Sequence, residues 1–173
     1  MVTSIPGART AQPARLFGGP PTYQNCLRAI GRILDDRSAS NLMVMETADG
    51  YSVRFLPSAA LEPRMISLTY LRCQELLDLS RSHRGCIAER RGTPSTFIPS
   101  SYEDVLRAIG FEIDRLGLRW LGLLEVGDAI LVSGLIPLDH QPDAALAPFE
   151  RAFTEEALAD LLVEARGRRQ SAA

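Results

Sequence analysis

The chain has 173 residues, of which 46% are hydrophobic and 23% are charged, as is typical of a globular protein with a substantial core. All 19 basic residues are arginine, and the absence of lysine excludes a Walker-type phosphate loop and a Schiff-base lysine. The net charge is -2, but the chain up to Cys86 has 10 Arg and 7 acidic residues (+3), whereas the remainder has 9 Arg and 14 acidic residues (-5). Opposite charges of this kind favour docking of the two parts on each other.

The cysteines indicate the compartment. Cys26, Cys73 and Cys86 lie far apart with no CxxC spacing, which argues against a zinc site and against a disulfide framework. The chain also lacks the apolar region of a signal peptide and a run of roughly 20 apolar residues that would span a membrane. These features predict a reduced, cytoplasmic protein with no membrane contact and no cofactor.

In chain order, residues 1–21 come first; they are rich in Pro, Gly, Ala and small polar residues, and we predict a disordered tail. A stretch that occurs twice follows. Residues 23–56 and 102–135 align without a gap at an offset of 79 and are identical at 12 of 34 positions. This pattern predicts an internal duplication.

Each copy begins with a helix. Thr22 and Ser101 are the predicted N-caps, and apolar residues then recur with the spacing of one buried face. Gly31 and Gly110 occupy the same place on the two faces, although a mid-helix glycine costs roughly 1 kcal/mol relative to alanine. We interpret both glycines as points of close packing.

A hairpin follows each helix. In the first copy a strand over 42–47 leads through Ala48-Asp49-Gly50 into a strand with one polar face. The matching strands of the second copy are apolar on both faces, so we expect one face to meet the first copy, a second chain or another partner. The candidate interface residues are Trp120, Leu121, Leu123, Ile130, Val132 and Leu135.

A third strand and a closing helix complete each copy. The strands are predicted at 64–68 and 149–153, and Thr69 and Thr154 are the N-caps of the helices that follow. The predicted fold class is α+β: a tandem duplication of an α-β-β-β-α unit, with antiparallel sheets packed by helices and a pseudo-two-fold relation. The predicted segments are the tail 1–21, the first repeat 22–84, a linker 85–100, the second repeat 101–169 and a tail 170–173.

Few residues suggest chemistry. Glu46 with Asp49, and Glu125 with Asp128, are repeated carboxylate pairs, but each aspartate lies in a hairpin turn, which favours a structural role. Arg28 and Arg107 flank the buried helical faces and are expected to pair with a carboxylate such as Glu46 or Glu125. We therefore predict no catalytic residue and no metal site, and the sequence favours a non-enzymatic protein over an enzyme.

Arginine groups are the most functional-looking feature. They are candidate contacts for an anion or a nucleic acid because several guanidinium groups on one surface follow a phosphate backbone. The residues concerned are Arg81, His83, Arg84, Arg90, Arg91, Arg166, Arg168 and Arg169. A pI near 5.7 and the lack of interleaved aromatic residues argue against this function.

The sequence favours a small cytosolic non-enzymatic protein-interaction module, that is, an adaptor, regulator or assembly factor. Its partner is another protein or a second copy of itself in a homodimer. The first alternative is a nucleic-acid-associated protein that uses the arginine groups. The second is a small-molecule-binding or enzymatic groove between the repeats.

Overall fold

The computed structural model describes residues 22–82, 101–138 and 145–171. The predicted tail 1–21 and the predicted linker 85–100 lie outside these ranges. The first half comprises α1 (Tyr23–Asp36), β1 (Ala39–Glu46), β2 (Gly50–Pro57), β3 (Arg64–Thr69) and α2 (Tyr70–Ser82). The second half comprises α3 (Tyr102–Leu116), β4 (Arg119–Val126), β5 (Ala129–Pro137), β6 (Leu146–Thr154) and α4 (Glu155–Ser171).

The strands form one antiparallel sheet in the order β3-β2-β1-β4-β5-β6. The two halves meet where β1 pairs with β4, with Val44 opposite Leu123. The predicted α+β class with antiparallel strands is therefore confirmed, and the two predicted sets of strands lie side by side in a single sheet.

Hydroxyl side chains cap the N-termini of the helices, as predicted. Thr22 Oγ1 accepts a hydrogen bond from the Asn25 amide at 3.2 Å, and Ser101 Oγ accepts one from the Asp104 amide at 3.2 Å. These bonds satisfy backbone donors that the first turn of a helix leaves unpaired. Thr69 and Thr154 likewise accept from amides in the first turns of α2 and α4.

The third strands are longer than predicted. β6 begins at Leu146, three residues before the predicted start, and continues through Pro148. Proline interrupts a central strand because it has no amide donor, but β6 is an edge strand, where no partner requires that donor. The sequence pattern could not identify β6 as an edge.

One hydrophobic core lies between the sheet and the helices. Alternate strand residues, among them Val44, Val53, Leu123 and Val132, are fully or almost fully buried, together with apolar residues from all four helices. Because successive strand residues point to opposite faces, the helices cover one face of the sheet. The remaining strand residues belong to the other face.

Helices α1 and α3 pack closely and run antiparallel. A Cβ placed on Gly31 would lie 2.5 Å from the Tyr102 carbonyl oxygen at the start of α3. A Cβ on Gly110 would lie 2.6 Å from the Cα of Gln24 at the start of α1. Each glycine therefore allows the first turn of the opposite helix to pack directly against its backbone. A residue with a side chain at either position would prevent this contact.

Candidate interaction surface

A matching irregularity occurs in the two central strands. Asn41 in β1 and Trp120 in β4 have φ values of 54° and 60°, and the strand register shifts at both places. Such a β-bulge sets two residues opposite one and leaves an amide outside the ladder. The Leu42 amide donates to Glu125 Oε2 at 3.0 Å, and the Leu121 amide donates to Glu46 Oε2 at 2.8 Å. Each half thus supplies the acceptor for the bulge of the other.

The same carboxylates accept tyrosine hydroxyls from the helices. Tyr23 and Tyr70 donate to Glu46 at 2.6 and 2.8 Å, and Tyr102 donates to Glu125 at 2.6 Å. Burial, followed by the bond to Glu46, raises the pKa of Tyr23 and of Tyr70 above the ordinary value of 10. Both glutamates are therefore engaged in joining helix to sheet and one half to the other, which favours the predicted structural role.

The aspartates of the predicted carboxylate pairs lie in the hairpin turns. Asp49 Oδ1 accepts a hydrogen bond from Thr47 Oγ1 at 3.2 Å, and its carbonyl oxygen accepts the Tyr70 amide at 3.0 Å. This is the local bonding typical of aspartate in a turn. Within residues 22–82, 101–138 and 145–171, no group of three or more His, Cys, Asp or Glu side chains is arranged to hold a metal ion.

The expected partners of two arginines are corrected by the structure. Arg28 Nε lies 3.0 Å from Glu103 Oε1, and Arg107 Nη2 lies 3.4 Å from Asp104 Oδ1, so neither arginine pairs with Glu46 or Glu125. The reason is that tyrosine hydroxyls and bulge amides from the neighbouring elements occupy the positions around those glutamates.

The sheet face opposite the core, called the open face below, carries an apolar row. Residues directly opposite one another in neighbouring strands share a face, and one such row crosses all six strands. It runs Met65, Arg54, Met43, Leu124, Leu131 and Ala152. A second row beside it runs Ser67, Ser52, Met45, Gly122, Ser133 and Glu150.

Most of the large apolar side chains in these rows are exposed to solvent. Met65 is 71% exposed, Met45 47%, Leu124 41% and Met43 36%, although large apolar side chains are usually covered. Met43 and Leu124 are adjacent at the junction of the halves. Contiguous apolar surface of this kind is characteristic of binding sites, and the flexible thioether of methionine adapts to a partner's shape.

The sequence predicted apolar residues on both faces of β4 and β5, but it did not identify the part of the open face that β1 supplies. In β1, buried Leu42 and Val44 are interleaved with exposed Met43 and Met45, so four successive residues are apolar. An alternation of this form indicates a strand with two apolar faces, of which only one belongs to the core.

The predicted interface residues separate into two groups. Leu121, Leu123, Ile130 and Val132 are at most 2% exposed and lie in the core beneath the chain's own helices, so they do not form a surface for another molecule. Their strands are apolar on both faces as predicted, but these four residues belong to the covered face. Trp120, by contrast, is 55% exposed, and Leu135 is half-buried opposite Arg119.

Of the predicted anion-binding group, only Arg168 has a described side chain. Its guanidinium carbon lies 4.2 Å from the centroid of the Phe111 ring, and Nη1 lies 3.5 Å from Glu164 Oε2. Arg81, Arg166 and Arg169 lie in α2 and α4, but their side chains are outside the described set. His83, Arg84, Arg90 and Arg91 are outside the described residues altogether.

None of the described helices is long and apolar enough to cross a membrane. A shallow depression at the start of α4 is lined by Asp128, Thr154, Glu155, Glu156 and Ala159. It lies within the second half and brings no histidine or cysteine to the acidic residues.

The chain matches no family model, no curated protein and no solved structure.

Proposed function

We propose that this chain is a small cytosolic, non-enzymatic protein-interaction module that binds a protein partner through the open face of its sheet. The observation that carries the proposal is the exposed apolar row centred on Met43 and Leu124. A surface of adjacent, solvent-exposed apolar side chains is stabilised when another protein covers it.

The proposal includes a tandem duplication with a pseudo-two-fold axis through the junction of β1 with β4. It is supported by reciprocal contacts: Glu46 bonds the bulge of β4 and Glu125 bonds the bulge of β1. Equivalent contacts made by two glutamates 79 positions apart are expected when one unit is copied and the copies dock on each other. Duplication of this unit explains why a single face of the sheet is continuous across both halves.

The test is partner capture by the tagged full chain in extracts of the cells that produce it. Met43→Asp places a charge at the centre of the apolar row, where a partner would have to desolvate it. We expect the wild-type chain to retain a specific protein partner and Met43→Asp to lose it by more than about tenfold, the scale of a substituted central interface residue.

Val163→Asp is the matched control. Val163 is 66% exposed on α4 and therefore receives the same charge at a surface away from the open face. Both variants should melt as the wild type does, since neither side chain belongs to the core. Equal capture by Met43→Asp and the wild type would refute the proposed use of the open face.

A further inference from the structure

We infer that the occupant of the open face is a second copy of this chain, packed sheet against sheet about a two-fold axis parallel to the strands and centred on the β1–β4 junction. This inference rests on the proposed function of the open face and adds the identity of the partner. Two antiparallel sheets that each have one apolar face form a stable sandwich when those faces meet.

The apolar row is complementary to itself under this symmetry. A two-fold contact requires the same patch on both copies to match itself. The axis exchanges β1 with β4 and keeps each row in register, so Met43 of one copy faces Leu124 of the other, and the contact occurs twice. The most apolar part of the face is thereby at the centre, where interfaces concentrate their binding energy.

The charges on the open face are complementary as well. Arg54 lies in β2 and Glu150 in β6, on opposite sides of the junction and in adjacent rows. The two-fold axis sets β2 of one copy against β5 of the other, next to β6, so that the long arginine side chain reaches the glutamate. The third charged residue of this face, Arg119, lies near the start of β4, outside both rows.

The area of the face is sufficient for a stable dimer. Six strands about 4.8 Å apart, with about 25 Å of length each, give a face of roughly 700 Å² per copy. Two copies then bury roughly 1,400 Å², within the range of specific protein interfaces, about 1,200–2,000 Å². A contact through the edge strands alone buries much less.

Sedimentation equilibrium of the full chain provides the first test, at concentrations from about 1 to 100 μM, where interfaces of this size associate. We expect the wild type and the control Val163→Asp to have twice the chain mass of 19.0 kDa. Met43→Asp, with an unchanged circular dichroism spectrum and melting temperature, should have the mass of one chain. A monomeric wild type, or a dimer that survives Met43→Asp, overturns the inference.

Charge reversal tests the axis. Arg54→Glu and Glu150→Arg should each weaken the dimer by about tenfold, because each places like charges opposite each other twice. The double variant should restore the wild-type dissociation constant. Additive weakening in the double variant overturns the pairing. If the wild type is monomeric but captures a different protein that Met43→Asp loses, the second-copy inference fails while the proposed function stands.

Discussion

The two halves of the molecule make matching contacts at their junction and differ in the cores beneath their outer helices. At their junction, Asp35 at the end of α1 accepts the Tyr102 and Glu103 amides at 2.8 and 3.0 Å. Asp114 at the end of α3 accepts the Tyr23 and Gln24 amides at the same point of α1, at 2.8 and 2.9 Å. Each helix therefore caps the beginning of the other.

Away from the junction the cores diverge. Beneath α2 the first half has Cys26, Tyr51 and Cys73, and the Tyr51 ring meets that of Tyr70 edge to face at 5.6 Å. Hydrogen bonding to Cys73 and burial raise the pKa of the Cys26 thiol. At the matching positions the second half has Val105, Ile130, Leu158 and Glu155. A peripheral core requires only volume and apolarity, whereas the contacts at the junction require particular atoms at particular distances.

The largest effect is expected at the glycines of the junction. Gly110→Ala and Gly31→Ala each place a Cβ within 2.7 Å of backbone atoms of the opposite helix, so the helices must separate. We expect each substitution to lower the free energy of unfolding by about 2–4 kcal/mol, which exceeds the gain of about 1 kcal/mol in helix propensity. Urea denaturation measures the change.

Gly167→Ala is the matched control, because among the described residues nothing beyond the nearby backbone of α4 lies within 4 Å of the Cβ it adds. It should raise the free energy of unfolding by up to about 1 kcal/mol, as alanine does at an open helical site. If Gly110→Ala stabilised the chain as well, close packing at the junction would be refuted.

The second largest effect on stability is expected at the two capping aspartates, and it differs between them. Asp35→Ala leaves two buried amides without acceptors and should cost about 2–4 kcal/mol. Asp114→Ala should cost less, about 1–2 kcal/mol, because its two bonds are only partly buried and water replaces the carboxylate. Thermal and urea unfolding of the two variants under the same conditions checks the order, and equal costs would contradict this difference in burial.

The helix caps and the antiparallel hairpins were predictable because each depends on residues near one another in the chain. The contacts of Glu46 with Leu121 and of Asp35 with the start of α3 were not predictable, since these partners lie 67 to 75 residues away and the contacts form only when the halves dock. Of the six candidate interface residues in β4 and β5, four lie on the face that the helices cover. Strand alternation divides residues into two sets, and it does not state which set the helices cover.

The third effect is a pH dependence of stability that arises from two tyrosines of the first half. Tyr23 and Tyr70 have raised pKa values in the folded chain, whereas tyrosines of the unfolded chain ionise near 10. Their contribution to stability is therefore complete below pH about 10 and is lost as the pH rises above that value. The urea midpoint of unfolding is measured at pH about 8 and at pH about 10.5. We expect it to fall less between these pH values in the double variant Tyr23→Phe/Tyr70→Phe than in the wild type. An identical loss would show that these hydroxyls are not protected from ionisation.

The smallest effect concerns the arginines at the end of α4, which distinguish the protein-interaction proposal from nucleic-acid binding. Arg168 already stacks on Phe111 and pairs with Glu164, so Arg168→Ala should cost at most about 1 kcal/mol, as exposed contacts of this type do. If Arg166, Arg168 and Arg169 bound phosphates, affinity for duplex or single-stranded DNA would fall steeply with salt, and replacing all three with glutamine would reduce that slope. Because the chain is acidic overall and Arg168 has partners of its own, we expect no shift of either DNA in gels at low salt. A salt-sensitive shift that the triple variant abolishes would instead make these arginines the functional surface and favour nucleic-acid association over the open face.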